Sequence, residues 1–290
     1  MRLITFRADG RERIGVLRDQ DELVEIDGPD NMLGLIESGA EGIAAARSAL
    51  SSSRAKPHRL AAVELLSPIP IPRGNVIAIG RNYQKHAAET AAVEGREPSP
   101  PTVFTKAITS LTEPFAHIAI DPAVSDKIDW EVELAVIIGN KGANIKRSDA
   151  RSHVFGYTAF NDVTARDIQS GWGGQYFKGK SLDRSSPMGP WIVTADEIPD
   201  PQNLGLELQV NGVQKQDGTT RDMIYSVDAV IEWVSIGLTL LPGTIIATGT
   251  PDGVGFARTP PEFLKPGDLM ETGVEKVGKL RNRIVAAGRD

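Results

Sequence analysis

The chain of 290 residues contains no cysteine, which excludes disulfides, thiolate nucleophiles and zinc held by sulfur. Any metal bound by its side chains must take oxygen or imidazole ligands. No apolar run approaches the ~18 residues that a membrane span needs. The N-terminus, MRLITFRADG, reaches charge within two residues and lacks the apolar core of a secretory signal. A cytoplasmic protein without a membrane partner is expected. A basic block is missing too, and with 32 Lys+Arg against 38 Asp+Glu the net charge is −6. Nucleic acid is therefore not an expected partner, although a local basic pocket for a small anion stays open.

What is present is ordinary globular composition, 40% hydrophobic and 24% charged, in a chain longer than the usual domain of roughly 100–200 residues. The segments LITF, IGVL and LVEI, separated by charged turns, predict a small antiparallel sheet. A helical stretch over 32–50 follows, and the Ser- and Pro-rich run from 51 to 74 has the composition of a linker. Beyond it, the short runs VIAIG, TVFTK, ELAVIIG, VFGYTAF, LELQV and TIIATG are largely β-branched and end in turn signals. Helical periodicity is confined to 84–94, 164–169 and 226–238. The prediction is an α+β, mainly β protein. A small N-terminal β-rich domain with linker occupies 1–70 and a catalytic domain 71–290.

Gly174 to Ser181 satisfies the phosphate-loop spacing G-x-x-x-x-G-K-S. A phosphate loop must leave a buried strand and enter a helix. Here polar QSGWGG precedes it and LDRSSPMGP, rich in turn residues, follows, so nucleotide binding is not expected.

The segment DWEVELAVIIG, beginning at Asp129, carries more chemistry. In a strand, period two places Glu131 and Glu133 on one face and Val132, Leu134 and Val136 on the other. Two carboxylates at the head of an apolar strand must be protonated, paired or bound to a cation if they are buried. A second apolar strand, VFGYTAF, leads to Asn161 and Asp162, which supplies a third acid. Three oxygen donors suit Mg²⁺ or Mn²⁺. In DVTARDIQ, spacing puts Asp162, Arg166 and Gln169 on one face of a helical turn. A cation with Arg and Gln suits a small, oxygen-rich anion, whereas an Asp162–Arg166 salt bridge is the simpler alternative.

The order RNYQKHAAE from Arg81, DWEVELAVIIG, FNDVTARDIQ, KGKSLDRSSPMGP and ATGTPDGVG resembles the fumarylacetoacetate hydrolase family from about Val76 onward. The resemblance implies a mixed β-sheet roll of that type, commonly dimeric, with the site in the C-terminal domain. It implies Mg²⁺ or Mn²⁺ at the acids matching Glu131, Glu133 and Asp162. It further implies substrate contacts from Arg81, Lys106, Arg166, Gln169 and Thr250, with Lys180 taking part in catalysis. Where the hydrolases proper carry a fourth acid, seven residues before the histidine, this chain has Ile79. It looks more like the branch of acylpyruvases, oxaloacetate decarboxylases and hydroxymuconate-type isomerases, in which a His and a Glu three residues later form a dyad on a lid. His86 and Glu89 match that dyad. The reading reached from the sequence is C–C hydrolysis of an acylpyruvate-type 2-oxo acid through a pyruvate-type enolate. Oxaloacetate decarboxylation and 2-hydroxyhepta-2,4-diene-1,7-dioate-type isomerisation are the alternatives, and a non-catalytic binding protein is the remote one. The substrate's tail is expected to meet residues 87–101 and 171–176.

Overall fold

The computed structural model describes residues 1–52, 55–95 and 101–288. Parts of the Ser/Pro-rich run, 53–54, and of the expected lid, 96–100, lie outside them. The central element is the strand Val132–Ile138, buried at every position. Its alternation divides two cores: Val132, Leu134, Val136 and Ile138 pack into one apolar cluster, Ala135 and Ile137 into another. A strand buried on both faces is strongly held, at about 1.5–3 kcal/mol per large apolar side chain.

Around it runs a twelve-stranded mixed sheet. In spatial order its main path is Pro57–Arg59, Glu22–Glu25, Arg11–Leu17, Arg2–Ala8, Ser186–Thr194, Val154–Asn161, Val132–Ile138, Ile245–Ala247, Val76–Gly80 and Thr102–Lys106. After Thr102–Lys106, at the end of this path, the chain returns as Leu111–Thr112, which pairs in parallel with Ser186–Pro187 in the middle of it. The sheet therefore curls, as a roll does, and the long side chain of Lys106 lies fully inside. A five-stranded sheet, ordered Val213–Thr219, Gly205–Val210, Leu269–Val274, Gly278–Ala286 and Ile118–Ile120, covers one face.

The N-terminal strands form the antiparallel set expected, the first two joined by Asp9 and Gly10, both at positive φ as a tight two-residue hairpin requires. They continue the same sheet through the pairing of Leu3 with Ile192, and the Ser/Pro-rich run adds the short strands Pro57–Arg59 and Glu64–Leu65. The helical stretch over 32–50 is two helices, Met32–Glu37 and Ala40–Ser51, because Gly39 at φ 55 breaks the turn between them. Helices Gln84–Glu94 and Val227–Val234 form where periodicity placed them, the second capped by the Ser226 hydroxyl accepting from the Ala229 N–H. One expectation fails. Asp162 is not part of a helical turn with Arg166 and Gln169, because Thr164–Ala165 pairs as a strand with Ile128–Asp129 and the helix begins only at Arg166. Among the described residues no helix is long and apolar enough to cross a membrane.

Candidate active site

Val132–Ile138 runs antiparallel to both Val154–Asn161 and Ile245–Ala247, and the latter runs parallel to Val76–Gly80. The start of the first strand and the ends of the other three therefore meet at one end of the sheet. That end gathers Glu131 and Glu133, Asp162, Thr250 and Arg81. The Asp162 N–H donates to the Glu131 carbonyl at 2.9 Å, and Glu131 N–H to the Asn161 side chain at 3.0 Å, extending the ladder to the acids.

Glu131, Glu133 and Asp162 are all buried, and one ligand oxygen from each lies within 4.8 Å of the others. Lys180 Nζ donates to Glu131 Oε2 at 2.7 Å and to Asp162 Oδ2 at 2.8 Å. Lys106 Nζ donates to Asp162 Oδ1 at 2.5 Å and to the Val163 carbonyl at 3.1 Å. The alternative Asp162–Arg166 pair does not form. Arg166 instead reaches Glu131 Oε1 at 2.6 Å, Asp129 Oδ2 at 2.8 Å and Gln169 Oε1 at 3.0 Å, with its guanidinium over the Phe256 ring. Burial alone would raise the Glu131 carboxyl, but Lys180, Arg166 and His86 bring it down to about 2. Burial lowers the Lys106 ammonium despite Asp162. At Lys180 burial acts the same way but is outweighed, and Asp162 and Glu131 hold it above its usual value.

Glu133 is different. Among the described residues it has no ion-pair partner and accepts only the Gly249 N–H, at 2.8 Å. Burial first, then Asp162 and Glu131, push its carboxyl well above the usual range. An acid left uncompensated inside a ring of hard oxygen donors is what a divalent-cation site requires of its protein. The three residues fit such a group.

His86 lines the same cavity, and Glu89 stands behind it. His86 Nδ1 lies 2.8 Å from Glu89 Oε1, and the Glu89 carboxylate also accepts the Gly253 N–H at 3.2 and 3.1 Å. Glu89, an acceptor, assigns the proton to Nδ1 and leaves the Nε2 lone pair for a ligand. Gln216 donates to Thr250 Oγ1 at 2.8 Å, so the Thr250 hydroxyl has its own hydrogen to donate. Ile79 lies on the cavity wall, so this chain presents an apolar side chain there in place of a fourth acid. Lys180, from the P-loop-like run, lies against carboxylates and no helix follows it.

Three residues not singled out from the sequence complete the site. Asn82, fully buried, donates to the Tyr225 and Thr248 carbonyls and accepts the Tyr225 N–H, locking the turn before the Gln84–Glu94 helix. Gln216 accepts the Val132 N–H while it orients Thr250. Asp129 accepts from Trp130, Gly255 and Phe256 N–H groups and from Arg166. The first and last lie within quoted motifs, but an anchoring role has no local signature. Asp129→Asn is expected to cost about 1.5–3 kcal/mol, the range for a hydrogen bond to a charged group. Denaturant unfolding measures it, and a loss under about 0.5 kcal/mol, the range of ordinary surface changes, would show that Arg166 is held without Asp129.

A family model described as fumarylacetoacetate (FAA) hydrolase C-terminal matches residues 75–285. The chain is 40% identical to oxaloacetate tautomerase YisK of Bacillus subtilis (strain 168) over 303 residues, covering 98% of this chain and 100% of that relative. Among solved structures it is similar to a fumarylacetoacetate hydrolase from psychrophilic Exiguobacterium antarcticum, at 37% identity and TM-score 0.86, covering 99% and 100% of the two chains. It is also similar to a 2-hydroxyhepta-2,4-diene-1,7-dioate isomerase from Mycobacterium marinum, at 30% identity and TM-score 0.78, covering 100% of both.

Proposed function

The chain belongs to the fumarylacetoacetate hydrolase family, and from that premise we propose that it is a divalent-cation-dependent tautomerase. It moves one proton between the enol oxygen on C2 and the next carbon, C3, of a small 2-oxo acid of the oxaloacetate class. The observation that carries this reading is the His86–Glu89 pair: one oriented imidazole, its free nitrogen on the wall of the carboxylate cavity. The name of the Bacillus relative supports the same choice.

Glu131, Glu133 and Asp162 would hold the cation, Mg²⁺ or Mn²⁺ by the hardness of the donors. When bound, it supplies Lewis-acid stabilisation of negative charge at the 2-oxo oxygen. His86 Nε2 takes the enol O–H proton. As the C–O double bond forms, the C=C electron pair accepts a proton at the neighbouring carbon, and His86 delivers it. Glu89 fixes the imidazole tautomer and balances the imidazolium that forms in between. Arg166 and Gln169, joined to each other, offer donors to the acid's oxygens, and Thr250 adds its hydroxyl. Isomerisation of a hydroxydienoate is the same proton transfer along a longer conjugated chain. Hydrolysis of an acylpyruvate, favoured from the sequence, would use the dyad to activate water. A homodimer, a cytoplasmic setting and the lack of nucleic-acid or membrane partners stay part of the proposal, on the sequence alone.

The test follows the loss of enol absorbance after enol-oxaloacetate is mixed with the Mg²⁺- or Mn²⁺-loaded protein, alongside acylpyruvate cleavage and pyruvate release. Catalysed ketonisation abolished by chelator is expected. Acylpyruvate cleavage with no effect on the enol would replace this reading with the hydrolase.

A further inference from the structure

The turn over 250–256 follows the strand Ile245–Ala247 and reads TPDGVGF. It touches three parts of the site. Thr250 and Phe256 line the carboxylate cavity. The Gly255 and Phe256 N–H groups donate to Asp129 at 2.7 and 3.1 Å, behind Arg166. Between them, the Gly253 N–H donates to both oxygens of Glu89, at 3.2 and 3.1 Å. Among the described residues it is the only donor that Glu89 receives from outside its own helix.

A helix does not hold such a pair by itself. An i,i+3 contact gains less than a glutamate side chain gives up in rotamer freedom when it is fixed, so the spacing of His86 and Glu89 alone leaves the carboxylate loose. A bond from a fixed backbone N–H to a charged acceptor is stronger. Gly253 is built to aim that N–H. Its φ is 100, and a Cβ there would stand 2.3 Å from the Lys215 carbonyl oxygen, so only glycine fits. Its own carbonyl accepts Trp130 Nε1–H at 3.2 Å and Arg258 Nε–H at 3.4 Å. Arg258 Nη2 also donates to the Lys215 carbonyl at 2.6 Å, and Gln216 Nε2 to the Pro251 carbonyl at 2.9 Å. The turn is therefore pinned on both sides of Asp252. Trp130 is buried, and neither it nor Arg258 nor Gly253 lines the cavity.

Building on the tautomerase reading, we propose that Gly253 is the positioning residue of the dyad, with Trp130 and Arg258 as its supports. The two side chains hold the Gly253 carbonyl, the Gly253 N–H holds Glu89, and Glu89 holds the His86 ring with its proton on Nδ1 and Nε2 turned to the cavity. The tautomer of the general base is thus set from a turn 164 positions further along the chain. Trp130 stands between Asp129 and Glu131 in sequence, so one short stretch anchors Arg166, carries an acid of the cluster and orients the acid–base pair.

The test reads the imidazole nitrogens by NMR in metal-free protein, isotope-labelled at its histidines. Four histidines are present, and the His86→Gln variant identifies the His86 signals. Wild type should show Nδ1 protonated and Nε2 not. The double variant Trp130→Phe with Arg258→Met keeps an aromatic ring and an apolar stem but removes both donors to Gly253, and its two His86 nitrogens should approach a common, averaged shift. In the Mg²⁺-loaded double variant, kcat for ketonisation of enol-oxaloacetate should fall about 10-fold, short of the ~100-fold that a misplacement of ~1 Å can cost. KM and Mg²⁺ affinity should stay within about twofold of wild type. Each single variant should show part of both changes, so the outcome does not hang on the double variant folding. An unchanged tautomer in a folded variant overturns the proposal whatever its melting temperature, and so does a loss confined to KM. If wild type leaves the enol untouched the tautomerase reading fails, while the nitrogen shifts still decide this one.

Discussion

Enol–keto interconversion by a His86→Ala variant is expected to fall by roughly 10²–10⁴-fold, the usual contribution of a positioned general acid–base, while affinity for the divalent cation stays within a few-fold of wild type. The separation is expected because His86 contributes no carboxylate to the cluster. Its ring is tied to Glu89 rather than to Glu131, Glu133 or Asp162 by any hydrogen bond. Glu89→Gln gives the intermediate case. The amide oxygen can still accept from Nδ1 and the shape survives, but the charge that balances the imidazolium is gone. A loss nearer tenfold is expected there. Stopped-flow decay of the enol measures both, with metal binding followed by calorimetry on the same samples. Partial rescue of His86→Ala by added imidazole would strengthen the assignment, and a wild-type rate without it would remove His86 from the mechanism.

The second large effect concerns Glu133. Glu133→Gln should lower affinity for Mg²⁺ or Mn²⁺ at least about 100-fold, since losing even an outer-shell partner costs a metal site 10–100-fold. The metal-free protein should not be destabilised by the change. Glu131 and Asp162 are ion-paired with Lys180, Lys106 and Arg166, whereas Glu133, among the described residues, has no ion pair, and its like charges outweigh Lys180 and one backbone N–H. Its carboxyl is pushed up in the folded state, so the native protein binds more protons than the unfolded chain once pH exceeds the ordinary carboxylate range, about 4.3. By linkage, this group makes stability fall as pH rises through that window. Glu131, lowered to about 2, acts in the opposite sense and loses its contribution only as pH drops from the ordinary range toward 2. Metal-free wild type should therefore lose stability as pH rises above about 5. Metal should reduce that slope, and Glu133→Gln should largely remove it. Thermal unfolding across pH, with and without chelator, measures all three. Unchanged metal affinity in the variant would exclude Glu133 as a ligand.

The acids were legible because strand alternation needs only neighbouring residues: Glu131 and Glu133 lie two apart at the head of an apolar run, and VFGYTAF points to Asp162. The His86–Glu89 pairing came from the family resemblance, with i,i+3 spacing consistent with it, and the structure shows the 2.8 Å contact. The helical reading of Asp162 to Gln169 failed for the opposite reason. Periodicity could not register that Ile128–Asp129 pairs with Thr164–Ala165 and holds that stretch extended. Asn82, Gln216 and Asp129 escaped because they act on backbone groups far along the chain, with Asn82 reaching Tyr225 across 143 positions.

By itself the sequence determined the chemical character of the site: hard oxygen donors without thiols, an imidazole with a carboxylate partner, and an Arg–Gln pair for an anion. The donors and the Arg–Gln pair follow from residue type and spacing over a few positions, and the imidazole–carboxylate pair from the family resemblance. Only the tertiary structure decided how charge is shared among them. The order in which strands enter the roll sets Lys106 and Lys180 on Asp162, Arg166 on Glu131 and Asp129, and leaves Glu133, among the described residues, without an ion pair. Partners lying 18 to 56 positions apart meet through that order. Coulomb interactions act across space, and the sequence orders residues only along the chain.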